Sequence, residues 1–206
     1  GADGSYSATV SYGWAETFAP VKEGYEFTPS NKGFGPAKSN QVQNFSAAAI
    51  QLLITGSVGV PGVKMKGLPG DPVTGANGVY SAKVDYNWTG NITPEKEGYE
   101  FEPVEVPYAN ITADQTNQNF NANKLTYIVS GTASMAGVEM KGLPGNPYTD
   151  QNGFFSAQVD YGFTGTVTPT KEGYEFDPAS FILANITGDR TNLNCTAEMI
   201  KLTISG

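Results

Sequence analysis

The chain has 206 residues, with 20 acidic against 12 basic side chains for a formal net charge of −8, no His and a single Cys. Without His there is no Ser-His-Asp or Cys-His pair and no His-containing zinc site. One Cys excludes an intrachain disulfide, a four-Cys metal site and a thiolate-held iron–sulfur cluster. The acidic balance also argues against nucleic acid and anionic lipid as partners, since both need a basic footprint.

In chain order, the first pattern is an alternation of Tyr6, Ala8, Val10, Tyr12 and Trp14 with Ser, Thr and Gly. A period of two is the signature of a half-buried strand, here expected to run through Trp14. Next comes Lys22-Glu-Gly-Tyr-Glu-Phe27, in which Gly marks a turn or bulge and Tyr25 and Phe27 alternate as inward-facing residues. Gln41-Val-Gln-Asn-Phe45 follows, then a second alternation, Ile50, Leu52 and Ile54. Beyond it lie Lys64-Met-Lys-Gly-Leu-Pro-Gly70 and turn clusters in which Gly and Asn accept positive φ.

All of this is then written again. The Lys-Glu-Gly-Tyr-Glu-Phe block returns at Lys96 and Lys171, in steps of 74 and 75 residues. The first strand recurs as Tyr80 to Trp88 and Phe155 to Phe163, and the Ile-x-Leu-x-Ile strand as Leu125-x-Tyr127-x-Val129 and Ile200-x-Leu202-x-Ile204. A unit of this length holds a small sandwich of its own, so the expectation is an all-β chain of tandem antiparallel β-sandwich domains in a rod-like array. No helical periodicity is long enough to name. A strand ending Ile-Ser-Gly, a Gly-Val-x-Met-x-Gly strand, a Thr-Asp-x-Asn-Gly turn and a Tyr-Ser-Ala-x-Val-x-Tyr strand follow in order. In this the chain resembles the carboxypeptidase-regulatory-like, transthyretin-like (Ig-like) repeats of bacterial and archaeal surface proteins. The resemblance implies a non-catalytic spacer, stalk or adhesive unit and brings no active-site motif.

The expected division is an incomplete repeat over 1–49, complete repeats over 50–123 and 124–198, and a lone opening strand over 199–206. The first repeat starts at Asp3-Gly4, aligned with Asn77-Gly78 and Asn152-Gly153, and so lacks its opening strands. A sandwich missing a strand exposes an apolar groove and unmatched backbone groups. Ile200, Leu202 and Ile204 form a donor strand suited to that groove in another copy, with Tyr6, Val10, Tyr12, Trp14, Tyr25, Phe27 and Phe45 as the acceptor core. Donor and acceptor patches differ, so the contact is heterologous and propagates head to tail. The competing reading is a fragment cut from a longer array, whose flanking sequence supplies the missing strands.

The remaining candidates have plainer explanations. Cys195 stands where the other repeats place Phe45 and Phe120, and is expected to be a buried, inert thiol. Trp14 and Trp88 continue the inward alternation, which favours core packing over a sugar platform. An isopeptide link of Lys96 to Asn119 would need Glu100 in the core, whereas Glu100 alternates outward. Asp71 and Asp150 belong to turns that match no EF-hand loop. Asn110 and Asn185 share Asn-Ile-Thr and are the better candidates for N-glycosylation. The chain opens Gly1-Ala2-Asp3 without an apolar leader, as a processed or trimmed chain would. Its longest apolar stretch, 47–54, is too short to cross a bilayer. The expected role is a non-enzymatic extracellular structural protein without cofactor or metal, whose partner is itself. The alternative is a stalk or carbohydrate-binding module facing a glycan or cell-surface partner.

Overall fold

The computed structural model describes residues 1 and 3–206, and among them there is no helix. The chain is all-β and forms two compact units. One comprises Gly1–Pro94 with Glu105–Phe120, the other Glu95–Val104 with Asn121–Gly206.

In the first unit, β1 (Thr17–Phe18), β2 (Tyr25–Thr28), β3 (Lys32–Gly33) and β4 (Ser46–Ala49) come from the first copy of the repeat. They make two short antiparallel pairs, β1 with β3 and β2 with β4. The second copy contributes β5 (Gln51–Ser57), β6 (Lys64–Lys66), β7 (Val79–Asp85) and β8 (Trp88–Glu95). These are followed in the chain by β9 (Tyr99–Glu102), which belongs to the second unit, and β10 (Val106–Ile111). One sheet pairs β5 with β7 over seven residues, and the other has the order β10-β8-β6. Ile54, Val63, Met65 and Ile92 are fully buried between them. Alternation therefore becomes packing, because every second residue of β5 and β7 points into this core.

The second unit repeats the plan with β11 (Asn121–Lys124), β12 (Thr126–Thr132), β13 (Glu139–Lys141), β14 (Phe154–Asp160), β15 (Phe163–Thr170), β16 (Tyr174–Asp177), β17 (Phe181–Ile186) and β18 (Thr196–Met199). β12 pairs with β14, β13-β15-β17 form the facing sheet, and the β9–β11 and β16–β18 pairs complete the unit. Val129, Val138, Met140, Phe155, Val159 and Val167 form its dry centre.

Two expectations are corrected. The strand read as running on to Trp88 and Phe163 stops at Asp85 and Asp160, and Trp88 and Phe163 instead open β8 and β15. Asn87 (φ 64°) and Gly162 (φ 77°) turn the chain there, and the Asn87 and Gly162 amides donate to the Ile111 and Ile186 carbonyls. This is a corner that carries the chain from one sheet to the other. An aromatic on each side of it mimics an uninterrupted alternation. The second correction concerns the first copy, where residues 5–11 form no strand although their pattern matches β7. β7 is held by seven paired residues of β5, and 1–49 contains no counterpart of β5. Amphipathic pattern without a neighbour is not enough to make a strand.

In each complete repeat a buried threonine hydroxyl spans a core loop. Thr149 Oγ1 donates to the Met135 carbonyl at 2.8 Å and accepts from the Val138 amide at 2.9 Å. Thr74 does the same with Val60 and Val63. Replacing Thr149 by Val keeps the shape but takes the hydroxyl from the buried Val138 amide and the part-buried Met135 carbonyl, and an unmatched buried group costs about 1–3 kcal/mol. Thr149→Val is expected to lower the urea midpoint by an amount equivalent to about 2 kcal/mol, read by tyrosine fluorescence, with an unchanged folded spectrum.

Candidate assembly site

The feature that recurs in both complete copies is a strand gripped on both edges. β5 lies between β7 and the extended segment 114–120, to which it is bridged in parallel at Ile54 and Gln115. Thr55 donates to Gln115 O, Gln115 to Leu53 O, Gln118 to Thr55 O and Phe120 to Ser57 O, at 2.8–3.0 Å. Two side chains extend the ladder, Asp114 accepting from the Leu53 amide and Asn119 from the Ser57 amide, both at 2.8 Å. In the other unit Asp189 and Asn194 play the same parts for Ile128 and Thr132 on β12.

One position requires Gly for a steric reason. A Cβ on Gly56 would lie 1.8 Å from Gln118 O, and one on Gly131 2.1 Å from Leu193 O. Only a residue without a side chain lets the gripping segment come this close. A tyrosine closes the far end: Tyr80 Oη donates to Gln118 O at 2.6 Å, and burial, helped by the neighbouring Tyr108 hydroxyl, pushes its pKa well up.

The first copy carries both flanks of this grip without the strand between them. Its Tyr6 Oη donates to Gln43 O at 2.5 Å, the same bond as that of Tyr80. Tyr6 stacks on Phe18 with ring centres 5.0 Å apart, and Phe45 lies 6.2 Å from Tyr6 and 5.8 Å from Phe18. Yet Tyr6 is 50% and Val10 43% exposed, where their counterparts Tyr80 and Val84 are 2% and 1%. Of the other acceptor candidates, Trp14 packs on Phe34 at 5.8 Å and Tyr25 and Phe27 lie on β2. Tyr12 projects outward, 82% exposed. Sequence reasoning overlooked Phe18 and Phe34, although their counterparts Ile92 and Tyr108 were there to be aligned. The donor candidates are equally bare: residues 201–206 form no strand, and Ile200, Leu202 and Ile204 are 44%, 87% and 98% exposed.

A second recurring contact joins each of the first two Lys-Glu-Gly-Tyr-Glu-Phe turns to the sheet corner of the following copy. Gly24 O accepts from the Ile50 amide, Ile50 O accepts from the Tyr86 amide, and Tyr86 Oη donates to the Glu23 carboxylate at 2.9 Å. In the second unit Gly98, Leu125, Tyr161 and Glu97 repeat all three bonds. The tyrosine ring lies on the glycine, since a Cβ on Gly24 or Gly98 would meet it at 2.9 or 2.5 Å.

The other candidates resolve locally. Cys195 is buried, and desolvation pushes its thiol pKa up. Trp88 is half-buried against Tyr108 and covers Gly90. Asp71 is held below the usual carboxylate range by Lys64, 3.2 Å away, and by the Gly67 amide, while Asp150 caps its own turn through the Asn152 and Phe154 amides. Lys96 sits over the Tyr99 ring, Asn119 is taken up by Ser57, and Glu100 faces outward on β9. Asn110 and Asn185 are exposed but lie within β10 and β17, each with φ 48°, where the register with β8 and β15 shifts. Among the described residues no group of three acidic, Cys or His side chains converges as a metal site, and no helix is long and apolar enough to cross a membrane.

No protein-family model matches the chain. Chitinase ChiA of Flavobacterium johnsoniae is 31% identical over 127 residues, 56% of this chain but 8% of the chitinase, so the chain spans a small part of that relative. Among solved structures, the Bacillus anthracis TIE protein aligns with TM-score 0.51 and 13% identity over 82% of this chain and 41% of that one. This supports the all-β sandwich architecture. A streptococcal ancillary pilin aligns at TM-score 0.32 and 12% identity, over 82% of this chain and 70% of that one. The shaft pilin SpaA of Lactobacillus rhamnosus GG aligns at 0.28 and 10%, over 75% and 99%.

The corner makes a pH-dependent prediction. The Glu97 hydrogen bond, then burial, raises the Tyr161 phenol above its ordinary value of 10.0, as Glu23 does for Tyr86. A raised folded pKa contributes stability that is complete below the unfolded value and is lost as pH climbs through the folded one. Glu97→Gln is expected to shift one tyrosine back toward ordinary titration, seen as earlier phenolate absorbance on alkaline titration. An unchanged curve would mean the bond is not made in solution.

Proposed function

We propose that this protein is a non-enzymatic, extracellular structural subunit whose copies join head to tail by strand donation, building a surface fibre. The observation that carries the reading is the match between two parts of one chain. The first copy presents the flanks that grip β5 and β12 elsewhere, and residues 200–206 repeat the gripped strand, including its glycine. Transferring the β5–β7 register places Leu202 opposite Val10, Ile204 opposite Ala8 and Gly206 opposite Tyr6. Gln43 O would then approach Gly206 as Gln118 O approaches Gly56.

Burying Leu202 and Ile204 contributes about 1.5–3 kcal/mol each, and the strand's backbone groups gain partners on two edges. Residues 200–206 restore the β5 position only. The β1 edge, covered in complete copies by β6 and β13, is not reached by them, which makes the docked first copy the least covered part of the fibre.

A second reading has one observation in its favour, the likeness to part of a chitinase. In it the repeats are an accessory stalk or carbohydrate-binding module of a larger secreted protein, with a glycan as partner. The surface fibre reading rests instead on the complementarity of residues 200–206 to the flanks presented by the first copy.

Sedimentation velocity and negative-stain microscopy of the full chain separate the two. The native sequence is expected to form elongated, concentration-dependent polymers. Leu202→Asp with Ile204→Asp, and separately Gly206→Val, are expected to weaken association about a hundredfold or more. Gly206 has nothing within 4 Å, so its substitution leaves the free chain undisturbed. A native chain that stays monomeric at every concentration, or variants that polymerise equally well, would overturn strand donation. Retention on insoluble chitin by such monomers would favour the accessory module.

A further inference from the structure

Resting on the strand-donation reading, the structure assigns a second contact between copies. We infer that Tyr12 of the accepting copy seats on Gly173 of the donating copy, with its hydroxyl on the Glu172 carboxylate and its amide on the Ile200 carbonyl.

The argument is one of repetition. Glu23-Gly24 receives Tyr86, and Glu97-Gly98 receives Tyr161, each by the same three hydrogen bonds. Glu172-Gly173 is the third instance of this turn, with Gly173 in the same left-handed conformation at φ 81° against 77° and 78°. Its first bond is already made, because the Ile200 amide donates to Gly173 O at 2.9 Å, as Ile50 and Leu125 do to Gly24 and Gly98. What distinguishes it is the bare glycine face: a Cβ on Gly173 would meet nothing within 4 Å, whereas the other two would strike a tyrosine ring.

The matching tyrosine is Tyr12, the counterpart of Tyr86 and Tyr161. Its corner is already shaped. Gly13 donates to Ala37 O at 2.8 Å, just as Asn87 and Gly162 donate to Ile111 and Ile186 at 2.8 and 2.7 Å. Thus Tyr12 is held at a formed turn with its side chain 82% exposed, while the turn that would receive it lies beside Ile200, the first residue of the donor strand. A strand that docks Leu202, Ile204 and Gly206 brings these two surfaces together in the relation seen twice within the chain. The contact would fix the rotation of one copy on the next, which the strand alone leaves less constrained.

The test is a double-mutant cycle on assembly of the full chain, with the association midpoint read by sedimentation velocity. Tyr12→Ala and Glu172→Ala are each expected to raise the midpoint about tenfold, and the double variant to be little worse than Tyr12→Ala alone. Tyr12→Phe, which keeps the ring on Gly173 and loses the hydroxyl, is expected to fall between Tyr12→Ala and the native chain. Polymers that form unchanged with Tyr12→Ala, or effects of the two substitutions that simply multiply, would overturn the Tyr12–Glu172 contact while leaving strand donation standing. A native chain that does not polymerise at all would overturn both.

Discussion

The structure depends on the close approach of a carbonyl to a glycine. Where Gln118 O meets Gly56, and Leu193 O meets Gly131, the backbone of the gripping segment occupies the space of a Cβ. That approach lets an irregular segment bond to the free edge of a strand whose other edge is paired with β7 or β14. With both edges taken, Ile54 and Val129 can be driven fully into the core without stranding their backbone groups. The neighbouring Asp114, Asn119, Asp189 and Asn194 side chains satisfy the amides that the segment itself does not reach. The polar composition is thereby tied to the fold: Asp and Asn serve here as strand partners rather than as ligands or acid–base groups.

The same strand also links successive copies. The residue just before it joins the preceding turn to the corner after it, through Gly24, Ile50 and Tyr86 in one unit and Gly98, Leu125 and Tyr161 in the other. A strand that completes one sandwich while beginning at the turn of the preceding copy is a ready-made coupling element. In the proposed fibre the same three bonds would form between two chains.

Much of this was legible in the sequence, and the failures have local causes. The two-residue alternation of Tyr80-Ala82-Val84 and Phe155-Ala157-Val159 is visible because both are strands with one buried face. The identical pattern at Tyr6-Ala8-Val10 misled, since what decides it is a pairing partner that lies elsewhere, and periodicity does not report partners. Trp88 and Phe163 misled for another reason: a sheet corner at Tyr86-Asn87 or Tyr161-Gly162 preserves the spacing of aromatics across a break. Cys195 was placed correctly because its counterpart Phe120 is an obvious core residue. Tyr12 was read as core, whereas the structure leaves it 82% exposed, and the contact its counterparts Tyr86 and Tyr161 make with Glu23 and Glu97 was overlooked.

Hydrogen–deuterium exchange across a concentration series tests the central claim most directly, because it reports the backbone bonds of donor and acceptor separately. The account predicts that amides of residues 201–206, 6–11 and 40–45 gain protection together as concentration rises, while those of β5 and β12 stay protected throughout. Amides of 201–206 that exchange freely at every concentration, or gain protection without 6–11 and 40–45, would contradict it.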